Sequence, residues 1–189
     1  MECAYNEVHA KELIKHYSNI PEELVLRTYT SRLLGENPNL VLHGGGNTSI
    51  KLIQKNILLE DQEILFVKGS GVDLATIEPE EFVALDLAIL KNFRRLEKID
   101  DEEMENQLQI HKLHTSPLNP SVESFLHAFL PHRCVDHTHA DSILVLTHQK
   151  KTQPLSKTRL VPKSGFYLTP CPVYRWPERW QLCTKGTPR

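Results

Sequence analysis

Apolar residues recur at two different periods in this chain, and the switches between them divide it into segments. Leu24, Val25, Thr28, Tyr29, Leu33 and Leu34 fall on one stripe at helical spacing. Pro21, Glu22 and Glu23 precede the stripe, where proline fits the first turn and acids favour the positive end of the helix dipole; Gly35 and Pro38 close it. Residues 5–18 carry a weaker helical period. From Thr48 to Ile53 β-favouring residues take over, and a second strand is predicted over Glu63-Ile64-Leu65-Phe66-Val67. Residues 73–81 read as a loop and a helix start. Residues 82–87 alternate as a strand does, followed by a short helix to about Leu96. Residues 98–103 read as an exposed charged connection, and residues 106–114 as a further helix. Pro117 and Pro120 close the next loop. Val122, Leu126 and Phe129 return to helical spacing, residues 135–139 are extended, and another helix leads to His148.

Composition narrows the class of molecule. At 189 residues the chain fits one domain, with or without a tail, and is long enough to bury most of what an unfolded chain exposes. A formal net charge of -2 gives no general reason to bind nucleic acid or an anionic membrane, so any anion site must be local. Neither class of partner is expected. The four cysteines form no CxxC pair, which suits a reduced, cytoplasmic protein, and Cys134 reads as a small buried residue. The N-terminal residues intersperse charges with apolar side chains, so a secretory signal is not expected, and no window is apolar enough to span a bilayer.

Chemistry concentrates in NPSVESFLHAFLPHRCVDHTHADSILVLTH, residues 119–148, which hold half of the histidines. Alternate side chains of an extended strand share a face, so His137 and His139 can point the same way and close on one ion. Two imidazoles suit Zn²⁺, but catalytic zinc commonly has three protein ligands and an open position. Glu123 is the candidate third group, with His127 one turn later on the same face. A carboxylate beside a divalent cation can ligate it or act as general acid and base. Two histidines on a strand can equally be packed or solvated. His111 and His114, at i and i+3 with no carboxylate in the pattern, are assigned to the surface.

Two small-residue turns could serve an anion. In His43-Gly44-Gly45-Gly46-Asn47-Thr48-Ser49 the glycines permit positive φ and close approach to N–H groups, while Asn47, Thr48 and Ser49 add donors. Lys68-Gly69-Ser70-Gly71 repeats the design at the end of the second strand, and the two could converge on one phosphate. Plain hairpin or surface turns explain the glycines too. Neither is a Walker loop or GxGxxG, so nucleotide binding is not indicated. Beyond residue 149 the character changes: residues 150–189 hold half of the prolines, both tryptophans and many Lys and Arg against the single acid Glu178. Proline removes backbone donors and interrupts helix and ladder, so residues 1–149 are read as the domain and 150–189 as a basic tail, disordered or aberrant.

On LHGGGNTSIK, FVKGSGVDLATIEPEEF, PSVESFLHAFLP and VDHTHADSIL, in that order over residues 20–148, the chain resembles the class II aldolase/adducin family. It is most similar to the aldolase half of bifunctional rhamnulose-1-phosphate aldolase/alcohol dehydrogenase proteins. The resemblance implies a three-layer α/β/α sandwich around a mainly antiparallel sheet, assembled into a homo-oligomer when complete. It implies that Gly46 and Asn47, Ser70 and Gly71, and Ser121 bind the phosphate of a small phosphorylated sugar, with Val122 standing where some members have a further serine. It also implies that His137 and His139 bind Zn²⁺ and that Glu123 is the catalytic acid/base. The activity implied is zinc-dependent cleavage of a ketose 1-phosphate such as rhamnulose 1-phosphate to dihydroxyacetone phosphate and lactaldehyde; the alternative is a non-catalytic, adducin-like interaction module. The family's third zinc histidine lies well downstream of the pair, where this chain offers only His148. A C-terminally truncated or frame-shifted product, with zinc weakly held, is therefore expected.

Overall fold

The computed structural model of the protein describes residues 4–141 and 143. Helix α1 (Glu7–His16) is capped by Asn6, whose side chain accepts from the amides of Val8 and His9. It packs on α2 (Glu22–Gly35), which starts at Pro21 with Glu22 and Glu23 in its first turn. Strands β1 (Asn47–Lys55) and β2 (Asp61–Lys68) form a hairpin, and a 3-10 turn (Pro79–Glu81) leads into β3 (Phe82–Asp86). Helix α3 (Leu87–Asn92) is capped by the Asp86 side chain and followed by a 3-10 turn, Phe93–Arg95. Then come α4 (Asp101–Ile110), α5 (Ser124–Phe129) and β4 (Cys134–His137). The described strands form one antiparallel sheet in the order β3-β2-β1-β4.

Both sheet faces are covered, giving three layers. On one face Ile50, Leu52, Ile64, Phe66 and Phe82 pack against Leu24 of α2 and the loop residues Leu74 and Ile77. On the other, Leu65, Val67, Val83 and Leu85 pack against α3, α4 and α5 through Leu90, Leu108 and Phe125. Period-two alternation alone assigns these faces: Ile50 and Leu52 turn to α2, while Ser49 and Lys51 stand opposite Val67 and Leu65 and so turn to α5. Burying each of the large side chains contributes about 1.5–3 kcal/mol. Among the described residues no helix is long and apolar enough to cross a membrane.

Three expectations from the sequence need correction. The charged residues 98–103 are not all connection: Asp100 accepts from the Glu103 amide, and Asp101, Glu102 and Glu103 form the first turn of α4. The acids lie at the positive end of the helix dipole, so charge that reads as solvated surface is also a helix start. That helix ends at Ile110, because the next residues turn back to the sheet, with Lys112 bridging Leu85. The histidine strand stops at His137, leaving His139 just beyond it. Cys134 is exposed, since β4 turns Val135 inward and Cys134 outward. The helix leading to His148, His148 itself and residues 150–189 lie outside the described residues.

Candidate functional site

The α5-facing side of β1 is polar where a covered strand is ordinarily apolar, and the site grows from that anomaly. Asn47 and Ser49 lie on it, paired with His137 and Val135 of β4. Glu123 sits at the start of α5, and the Asn47 Nδ2 donates to its Oε2 at 3.3 Å. The Nδ1 of His137 is 3.0 Å from the same oxygen, within ion-pair distance but off the axis of a hydrogen bond, and it has no other partner among the described residues. One turn along α5, His127 is fully buried and shares a 2.7 Å hydrogen bond from Nδ1 to Ser49 Oγ, while its Nε2 has no partner. Ligand atoms of Glu123, His127 and His137 all lie within 4.8 Å of one another. The exposed His139 is not in that trio, yet its ring centroid is 4.8 Å from that of His137, so the two rings stand together.

Burial alone pushes the Glu123 carboxyl up, but His137 and the Asn47 amide outweigh it and hold the group down at about 2. Burial pushes His127 down to about 3 and, more weakly, lowers His139. At neutral pH Glu123 is therefore an ionised carboxylate, and the buried His127 beside it is a neutral imidazole with a nitrogen lone pair. That is the protonation state a divalent cation needs.

Both glycine turns reach this cluster. Gly46 has φ 67°, and a Cβ there would lie 2.9 Å from the His137 carbonyl oxygen; a Cβ on Gly45 would lie 3.4 Å from His139 Nδ1. Gly71 has φ 79°, and a Cβ on Gly44 would lie 3.0 Å from its carbonyl oxygen, so the two turns touch. The amides of Gly46 and Gly71 make no hydrogen bond among the described residues. Ser70 is tied to the third segment by its amide, 2.8 Å from the Asn119 oxygen, and Ser121 Oγ accepts from the Glu123 amide at 3.3 Å. Ser70 and Ser121 line a cleft of about 800 Å³ together with Asp100, Glu103 and Asn106. Gly46, Asn47, Ser121, Glu123, His137 and His139 are thus linked contact by contact, with Gly71 reached through the touching turns and Ser70 through Asn119, although the Asn47 side chain is committed to Glu123.

Comparison with known proteins now has geometry to stand on. The family model described as Class II Aldolase and Adducin N-terminal domain matches residues 26–178. The chain belongs to the class II aldolase and adducin family. A solved structure described as the N-terminal class II aldolase domain of a conserved protein from Thermoplasma acidophilum superposes with a TM-score of 0.62 at 40% identity, covering 67% of this chain and 59% of that one. The Bacillus subtilis (strain 168) protein named Uncharacterized oxidoreductase YuxG is 41% identical over 123 residues, 65% of this chain. This chain spans only 17% of that relative's length.

Three participants in this class II aldolase-type site escaped the reading of the sequence. The role of Ser49 is one: read from the sequence with Thr48 as an anion donor, it instead hydrogen-bonds His127, while Thr48 turns to Ser31 on the other face of the sheet. Arg27 of α2 is buried; it donates to the Val135 oxygen at 2.9 Å and pairs with Asp136, fixing β4 from the far side of the sheet. Lys68, 2% exposed, donates to carbonyl oxygens of both glycine turns; burial lowers its pKa, offset by Glu123, Asp73 and Glu81. A lysine directly before Gly-Ser-Gly at a strand end is the only trace it leaves in the sequence.

Proposed function

We propose that this domain works as a metal-dependent aldolase that cleaves a ketose 1-phosphate, with rhamnulose 1-phosphate as the first substrate to test. The observation carrying this reading is the group of half-buried Glu123 and His137 with buried His127, whose Nε2 has no partner among the described residues. Nitrogen-rich donors with one carboxylate suit zinc better than magnesium or calcium. His137 and Glu123 would hold the ion, with His139 beside them and the orphaned His127 Nε2 as a further nitrogen; the set fits a divalent cation. Bound there, zinc supplies Lewis acidity to adjacent carbonyl and hydroxyl oxygens of the sugar, lowering the cost of negative charge as a carbon–carbon bond breaks.

The chain's own residues do the rest. Free amides of Gly46 and Gly71, with the hydroxyls of Ser70 and Ser121, seat the phosphoryl group and so fix the sugar relative to Glu123. Cleavage breaks the bond between C3 and C4: the C4 hydroxyl gives its proton to the Glu123 carboxylate and becomes the aldehyde carbonyl, while the electron pair of the broken bond stays on C3. Glu123 moves the proton at C3: its carboxylate removes it in condensation and returns it in cleavage. Asn47, donating to the same carboxylate, keeps that group aimed.

Metal analysis of the purified chain and a coupled assay for dihydroxyacetone phosphate test the proposal. About one zinc per chain, lost in His137→Ala, is the expected result. Glu123→Gln should reduce cleavage by about 10²-fold or more. Equal rates for Glu123→Gln and the native chain would remove the carboxylate from its role. A chain that takes up no metal would instead support the adducin-like interaction module.

A further inference from the structure

Lys68 stands at the junction of the two glycine turns with its ammonium buried beneath them. Its Nζ lies 3.1 Å from the Gly44 oxygen in the first turn, and 3.4 Å and 2.7 Å from the Gly69 and Val72 oxygens in the second. A lysine ammonium has three N–H donors, and all three are committed to backbone carbonyls. With the residue 2% exposed, no donor remains to reach a ligand in the cleft. The carbonyls it binds lie beside the two positive-φ glycines, Gly46 and Gly71, whose amides have no partner among the described residues. Turns of this kind, left to themselves, move independently, because glycine costs little to reorient. A single buried cation bonded to both removes that freedom.

We propose that Lys68 is a positioning residue: a cationic clamp that locks the Gly44-to-Gly46 and Gly69-to-Gly71 turns into one preorganised anion seat without touching the anion. This deepens the phosphoryl-binding reading above and rests on it for the identity of the anion, but the clamp itself is a property of the ligand-free chain. It separates two roles that a lysine beside a phosphate seat could have. A direct ligand would hold back a donor for the phosphoryl oxygens, whereas this one spends all of them on the walls.

Hydrogen–deuterium exchange on the ligand-free chain and its Lys68→Met variant tests the clamp with no need of metal or substrate. Exchange should rise about tenfold or more in peptides covering both turns and stay unchanged across the β1–β2 ladder, as expected when one buried charged hydrogen-bond network is removed locally. Binding of inorganic phosphate, followed by calorimetry, should weaken about tenfold in the same variant through the lost preorganisation. Lost phosphate affinity with both turns unchanged would make Lys68 a ligand and overturn the proposal. Faster exchange through the whole ladder would make it an ordinary core residue and overturn it too. Loosening of both turns in a protein that never binds phosphate would leave the clamp standing and sink the phosphoryl reading. Should Lys68→Met not fold, titrating the native chain with phosphate decides by NMR: shifts at the Gly46 and Gly71 amides with the Lys68 ammonium resonance unmoved support the clamp, and a dominant shift at that ammonium refutes it.

Discussion

His127 is a titratable ring sealed inside the sheet–helix interface, and its burial has a cost that acid will reveal. The folded ring stays neutral down to about pH 3. In the unfolded chain it charges below about pH 6.5. Between those values the unfolded state holds one proton more, so stability is unaffected above pH 6.5 and falls as the solution is acidified below it. Urea unfolding of the metal-free chain from pH 6.5 to 5 should show a loss of about 1.4 kcal/mol per pH unit from this ring, and His127→Leu should flatten the slope by that amount. Glu123 adds its own loss only at lower pH, since its folded value of about 2 lies below an ordinary carboxyl. A slope unchanged in His127→Leu would mean that the ring is not the proton-excluding group. That His137 and Glu123 come together was legible because two imidazoles at alternate positions with a carboxylate shortly before them have few other uses. The roles of Ser49 and Lys68 were not, because a serine in a strand and a lysine at its end have many uses, and only the fold reveals what they face.

Helices and strands followed the apolar period wherever burial was one-sided. The stripe of α2 was readable because a helix on a sheet buries one face and wets the other, and β1 and β3 through their β-favouring residues although both faces of the sheet are covered. Helix α4 was misread since its start is written in charge and a cap, not in apolar period, and only Met104 and Leu108 are buried along it. The end of α2 offers a test of how tightly the layers fit. A Cβ on Gly35 would come within 2.2 Å of the Ala75 amide nitrogen and 2.5 Å of the Leu74 carbonyl carbon, both backbone atoms. Gly35→Ala should therefore destabilise the chain by about 1–3 kcal/mol as overpacking, despite alanine's better helix propensity. A neutral or stabilising result in urea denaturation would show that the loop at residues 74–75 yields easily.

The molecule as a unit depends on a four-residue strand at the rim of its sheet. β4 follows α2, the hairpin, β3 and three further helices along the chain before it pairs with β1, and Arg27 reaches across from α2 to hold it. Replacing that side chain by Arg27→Met removes its hydrogen bond to the Val135 oxygen and its ion pair with Asp136. Amides of residues 134–137 should then exchange about 10- to 100-fold faster, while those of β1 and β2 keep their protection. Equal protection throughout would show that pairing with β1 suffices. Gly46, Asn47 and Ser49 on one side and His137 on the other are strangers along the chain and become neighbours solely through this last seam. A folding intermediate that lacks the seam has no cluster of imidazoles to offer. If the cluster takes up a divalent cation as proposed, its capture reports that assembly has finished, and free metal would select completed molecules over partly built ones.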